Sequence, residues 1–273
     1  MTNARVRSTV QVGTVLRALL RRTVPVIAAV SLTSCLGAGD WAENIGIGSD
    51  GVGDSHFVNL GDRTASDGDY SSALTFYRQA LDANPGRISA MIGMGRSFEG
   101  LGQFGRAERS LRPVLEREPD NEEAALLLGR VLLQQDRPQE ALELFDRVRR
   151  NNPSQLRAYL GAGVALDSMG NHLQAQDAYR AGLEIDPVHL SLLNNMALSL
   201  AFSGRSDEAI GILRELVSDP SSSSKVVRNL ALIYVLADRR DAAAATLATY
   251  LPSADVADEL AYLDYLSRNR RSL

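Results

Sequence analysis

Residues 87–119 read RISAMIGMGRSFEGLGQFGRAERSLRPVLEREP. Moved 34 positions along the chain the pattern returns and ends on Pro153, and once more on Pro187. One step backwards it ends on Pro85. A fixed period of this length marks stacked supersecondary units, each too small to bury its hydrophobic face alone. Small residues keep the step at Gly61, Gly95, Gly129, Gly163, Ala197 and Ala231, and again at Ala73, Ala107, Ala141, Ala175, Ala209 and Ala243. Large ones keep it at Tyr77, Leu111, Phe145, Tyr179, Leu213 and Leu247.

These columns describe a pair of helices. The small positions are where the first helix of a unit comes close to the second, and the large ones fill the core of the pair. Between them stand Gly68, Gly102, Asp136, Gly170, Gly204 and Asp238. That column suits the end of a first helix, where the chain turns left-handed and Gly or Asp tolerates it. The prolines then stop the second helix. The expected fold is all-α, with six helix pairs starting near residues 54, 88, 122, 156, 190 and 224 and filling residues 54–253. The pattern loosens near the end, where Pro220 comes one place early and Pro252 three. The last unit of such a stack needs a cap with a polar outer side. Residues 254–268, ADVADELAYLDYLSR, supply it at helical spacing within a capping segment 254–273, with Tyr262, Leu263 and Leu266 expected to face inward.

The 34-residue columns resemble the tetratricopeptide repeat. The resemblance implies a right-handed superhelix whose concave side is built from first helices and receives a peptide or helix of a partner protein. Candidate groove residues are Arg96, Arg130, Arg157, Leu160, Asn194, Asn195, Leu198, Lys225, Arg228 and Asn229. Val164, Phe202 and Leu232 add apolar surface between them. Chaperone-binding members of the family grip a C-terminal carboxylate with Lys and Asn donors. Asn195 and Lys225 match two of those positions, whereas Leu160, Val164 and Asn229 depart from the pattern and leave the clamp incomplete.

The first 34 residues have a different character. They hold Arg5, Arg7, Arg17, Arg21 and Arg22, no acidic residue, and then a largely apolar run Thr23–Leu32. A basic segment, a short apolar core and small residues before a cleavage point read as a secretory signal over 1–34. Leu32-Thr33-Ser34-Cys35 resembles the lipobox of bacterial lipoproteins. That resemblance implies a diacylglycerol thioether on Cys35, leader removal and an N-acyl chain on the new amino group; no other cofactor is expected. One acyl chain anchors marginally, at ~0.8 kcal/mol per buried CH₂, whereas two or more hold stably. Residues 35–53 then form a flexible glycine-rich tether. Gly46, Gly48 and Gly51 in it match a dinucleotide-binding spacing, but the strand and helix that this chemistry needs are not legible around them.

The full chain has 29 basic against 33 acidic residues, a net charge of −4. Without the leader's five arginines the balance is 24 against 33, or −9. An acidic body argues against nucleic acid as a partner. His56, His172 and His189 do not cluster, and no phosphate loop, nucleophile elbow or zinc-protease motif is present. His172, at the start of a second helix, reads as structural, and Asp258 and Glu259 as solvated. The expectation is a non-enzymatic protein without a small-molecule substrate.

The stretches LLNNMALSLAFSGRSDEAIGILREL (192–216) and VVRNLALIYVLADRRDAAAATLATYLPSADVADELAYLDYL (226–266) resemble the TadD family of tight-adherence (Flp) pilus lipoproteins. This resemblance implies a pilotin-like scaffold at the periplasmic face of the outer membrane. Its partner would be the pilus secretin or another secretion-apparatus protein. Leu36 after the modified cysteine, in place of the Asp that retains lipoproteins in the inner membrane, agrees with that location. Outer-membrane β-barrel assembly and the positioning of a cell-wall enzyme are the alternative roles.

Overall fold

A computed structural model describes residues 52–218 and 223–268. The expected leader, Cys35, the expected tether as far as Gly51, and Pro220 lie outside the described residues. Among the described residues there are thirteen helices and no strand. Six antiparallel pairs follow one another: α1 (Val52–Ser66) with α2 (Tyr70–Ala83), α3 (Ile88–Gly100) with α4 (Phe104–Arg117), and α5 (Glu122–Gln134) with α6 (Pro138–Asn151). Then come α7 (Leu156–Ser168) with α8 (His172–Ile185), α9 (Leu190–Phe202) with α10 (Ser206–Val217), and α11 (Ser224–Leu236) with α12 (Arg240–Ala248). A final helix, α13, spans Ser253–Arg268. The first helices of units two to six begin at the residues given by the 34-residue step, while α1 starts two residues ahead of Asp54.

Each turn inside a pair takes the left-handed conformation that its column requires. Gly68, Gly102, Gly170 and Gly204 have φ of 83°, 68°, 77° and 87°, and Asp136 and Asp238 adopt 57° and 59°. The turns between pairs use a different device. Asn84, Asn152 and Asp186 each precede a proline, which holds them extended, and their side-chain oxygens accept from the N–H of Gly86, Ser154 and Val188 at 3.1, 3.2 and 3.3 Å.

Helix pairs close on the expected columns. Tyr77, Leu111, Phe145, Tyr179, Leu213 and Leu247 are buried, as are the six alanines one turn before them on the same helices. The glycine column lets the large side chains in. A Cβ added at Gly61 would lie 2.6 Å from the ring of Tyr77, and one at Gly129 would lie 2.6 Å from that of Phe145. In the last two units Ala197 and Ala231 replace the glycine, and leucines replace the rings.

The backbone of each first helix also packs against the first helix of the next unit, whereas successive second helices stand farther apart and meet through long side chains such as Arg112 with Glu140. The first helices therefore form the inner row of the stack, and their unpaired faces form one continuous surface. The cap helix α13 packs against both α11 and α12, in the place of a seventh first helix. Its inward residues are Leu260 and Leu263, with Val256 and Leu266 packed beside them. Tyr262 does not face inward as expected: it is 55 % exposed. Positions 256, 260 and 263 follow a four-then-three step along one helical stripe, and Tyr262 falls about 100° away from Leu263.

Candidate protein-binding groove

The inner row brings the expected groove residues onto one surface, but it uses many of their polar groups internally. Arg130 on α5 makes a two-pronged bond to Glu99 on α3, with Nε and Nη2 donating over 2.9 and 2.7 Å. These bonds hold its guanidinium above even the usual arginine range. Arg96 on α3 pairs with Glu123 on α5. The two bridges cross the same pair of helices in opposite senses and fix their register. With Glu122, Leu126, Gln155 and Arg157 they line a hollow of about 360 Å³. Glu122 is held by Asn152, whose Nδ2 donates at 2.8 Å, and by Gln155.

At the other end of the row, Asn194 is buried, and its Oδ1 accepts from Asn229 Nδ2 at 2.8 Å. Arg228 pairs with Glu259 of the cap at 3.2 Å. This corrects the reading of Glu259 as a solvated carboxylate: α13 brings it beneath Arg228, where it is only 18 % exposed. Asn195 donates to the Ser191 carbonyl one turn back on its own helix, at 2.7 Å. The expectation of open donors along the whole groove therefore needs correction. Arg96, Arg130, Asn194, Arg228 and Asn229 serve as cross-struts between units, because adjacent first helices bring opposite polar groups within bonding distance.

The open cations are Arg157 on α7 and Lys225 on α11, both exposed and neither ion-paired among the described residues. Leu160 and Val164, farther along α7, and Leu198 and Phe202 on α9, the helix between α7 and α11, are partly exposed. The surface thus has an apolar middle with a cation toward each end. It carries no cluster of metal-ligating residues among those described.

One node was not legible in the sequence. The Asp167 carboxylate accepts from Tyr179 Oη at 2.9 Å and from Ser199 Oγ at 2.7 Å, and it meets His172 Nδ1 at 2.8 Å. These partners come from α7, α8 and α9, so the group ties two units together. His172 belongs to the packing, as its position suggested. A buried Ser in a helix such as Ser199 is the only sequence hint of such a network.

Comparison with known proteins matches this architecture. The family described as "Tetratricopeptide repeat" matches residues 92–155 and 130–189. The uncharacterized protein y4yS of Sinorhizobium fredii is 44 % identical over 101 residues, which cover 37 % of this chain and 56 % of y4yS. The chain thus spans little more than half of that relative. A tetratricopeptide repeat protein from Parabacteroides merdae superposes with a TM-score of 0.65 at 18 % identity, covering 79 % of this chain and 84 % of its own. MamA superposes with a TM-score of 0.53 at 25 % identity over 59 % of this chain and 88 % of its own. The fold is that of a tetratricopeptide repeat protein, and residues 92–189 carry the repeat by sequence as well.

Proposed function

Starting from this tetratricopeptide fold, a scaffold for protein–protein interaction, we propose that the inner row of first helices holds a segment of a pilus secretin while a lipid on Cys35 keeps the scaffold at the membrane. The observation that carries the binding site is the apolar strip of Leu160, Val164, Leu198 and Phe202 with Arg157 and Lys225 toward its ends. An apolar strip contributes affinity through burial, and the two cations fix direction by meeting acidic groups flanking an apolar stretch. Tethering adds a positional effect: a scaffold confined to one membrane face meets its partner at a raised effective concentration.

The pilus assignment rests on the resemblance of residues 192–266 to the tight-adherence lipoproteins, and the membrane assignment on the basic leader and the Leu32–Cys35 motif. In this reading the protein is non-catalytic and sits on the periplasmic face of the outer membrane. A deletion strain tests it. Secretin multimers should be lost while porin levels stay normal. Intact multimers, or a general porin defect, would overturn the pilus role.

A further inference from the structure

The cap helix has a side that is turned away from the stack. Every other first helix has a second helix of its own packed on it, whereas α13 packs only on α11 and α12 among the described residues. Its body-facing acids are used there: Glu259 bonds to Arg228, and Asp264 to Arg240. The opposite side carries Ala254, Asp258, Ala261, Tyr265 and Arg268, all exposed and following one another at steps of four, three, four and three. That is the spacing of a coiled-coil seam, which keeps one stripe toward a partner helix. Tyr262 flanks the stripe, and Tyr262 and Tyr265 are 55 and 56 % exposed.

Charge is divided along this side. Asp255 and Asp258 stand toward the N-terminal end of α13 and Arg268 in its last turn, and none of them is ion-paired among the described residues. In sequence, Arg270 and Arg271 follow. A helix dipole favours acids at the start and bases at the end, but it does not account for two exposed tyrosines among alanines. The pattern is self-complementary. Laid antiparallel on a second copy so that Asp258 meets Arg268, the stripe also sets Ala261 against Tyr265, a small side chain against a large one. The two-fold axis then falls at the level of Leu263, and each contact occurs twice.

We propose that α13 is a self-association surface through which two copies pair tail to tail with their cap helices antiparallel. The tyrosines and alanines supply apolar burial, and the Asp258–Arg268 pairs set direction and register. A contact confined to one 16-residue helix from each copy falls below the ~800 Å² per partner of a standard stable interface. The dimer is therefore weak, with a Kd of about 10–100 µM. A two-fold contact uses the same patch on both copies and closes, so assembly stops at two. Such a dimer carries two inner rows.

Sedimentation velocity on the full chain, from about 1 to 300 µM, tests this. The unaltered protein should pass from monomer to dimer. Asp258→Arg and Arg268→Asp should each weaken dimerisation about tenfold or more, because each sets like charges against one another at both contacts. An equimolar mixture of the two variants should regain the dimer, since both contacts are then opposite in sign. The double variant Asp258→Arg with Arg268→Asp restores both signs within one chain and should dimerise like the wild type. Glu184→Arg, on the exposed side of α8, should change nothing. A monomer throughout the range, a dimer indifferent to both reversals, or a loss that neither the mixture nor the double variant repairs would each overturn the proposal.

Discussion

Gly163 on α7 lies against the ring of Tyr179 on α8 so closely that a Cβ at position 163 would overlap three ring carbons. The ring is buried and cannot turn aside, because its hydroxyl is bonded to Asp167 Oδ2 at 2.9 Å. Gly163→Ala therefore forces the helix pair apart and should cost about 1–3 kcal/mol. Gly211, on the exposed face of α10, has no atom within 4 Å of an added Cβ. Gly211→Ala should stabilise the protein by about 0.5–1 kcal/mol, since a helix interior favours Ala. Urea unfolding of the two variants separates them, and a similar midpoint for both would show that the close approach carries no strain.

Alkali should unfold the chain through two of its eight tyrosines. Burial, and then the adjacent carboxylates of Asp62 and Asp167, push the phenols of Tyr77 and Tyr179 well above their ordinary value near 10. The folded state keeps these phenols neutral. Their contribution is complete below the unfolded value and declines as pH rises above about 10, because only the unfolded chain then releases the protons. Absorbance at 295 nm and circular dichroism, followed together, check this. Two tyrosines should ionise only as helix is lost; eight ordinary titrations with helix intact would contradict it.

Asn194 and Asn195 are neighbours with opposite roles. Asn194 is buried whereas Asn229 is half-buried, so Asn194→Ala removes a bond between units and should cost about 1 kcal/mol. Asn195→Ala removes a bond within one helix turn and should stay within about 0.5 kcal/mol. Denaturant midpoints provide the measurement.

Groove binding should depend on the open cations and much less on the struts. Arg157→Glu with Lys225→Glu should weaken capture of purified secretin about tenfold or more while moving the melting temperature by no more than about 2 °C. Arg228→Ala releases Glu259 from a half-exposed pair and should cost under ~1 kcal/mol. Unchanged capture by the double reversal would remove the inner row as the binding surface.

The lipid attachment is tested apart from the repeats. Cells fed a clickable palmitate should label the wild-type chain, and Cys35→Ser should lose the label while the purified repeat body keeps its helix content and melting temperature. Continued labelling of the variant would show that the lipid is elsewhere.

The sequence by itself determined the periodic part of this protein. A 34-residue step, kept by Gly or Ala, Ala, a large residue, a left-handed turn residue and a proline, specifies both helices of a pair and the turns at either end. The reason is local: helix starts, stops and close approaches depend on residues a few positions apart, and each leaves its mark on residue type. Even the place of the cap was legible, although its inward stripe ran through Leu260 where Tyr262 had been expected. Only the tertiary structure decided which charges are free. Arg96 and Arg157 both stand on first helices, yet one is bound to Glu123 on the next unit and the other is ion-paired to no described residue. The same holds for the Asp167 node. Pairing across units depends on which side chains the stacking brings within about 3 Å, and the repeat period, common to every unit, carries no record of it.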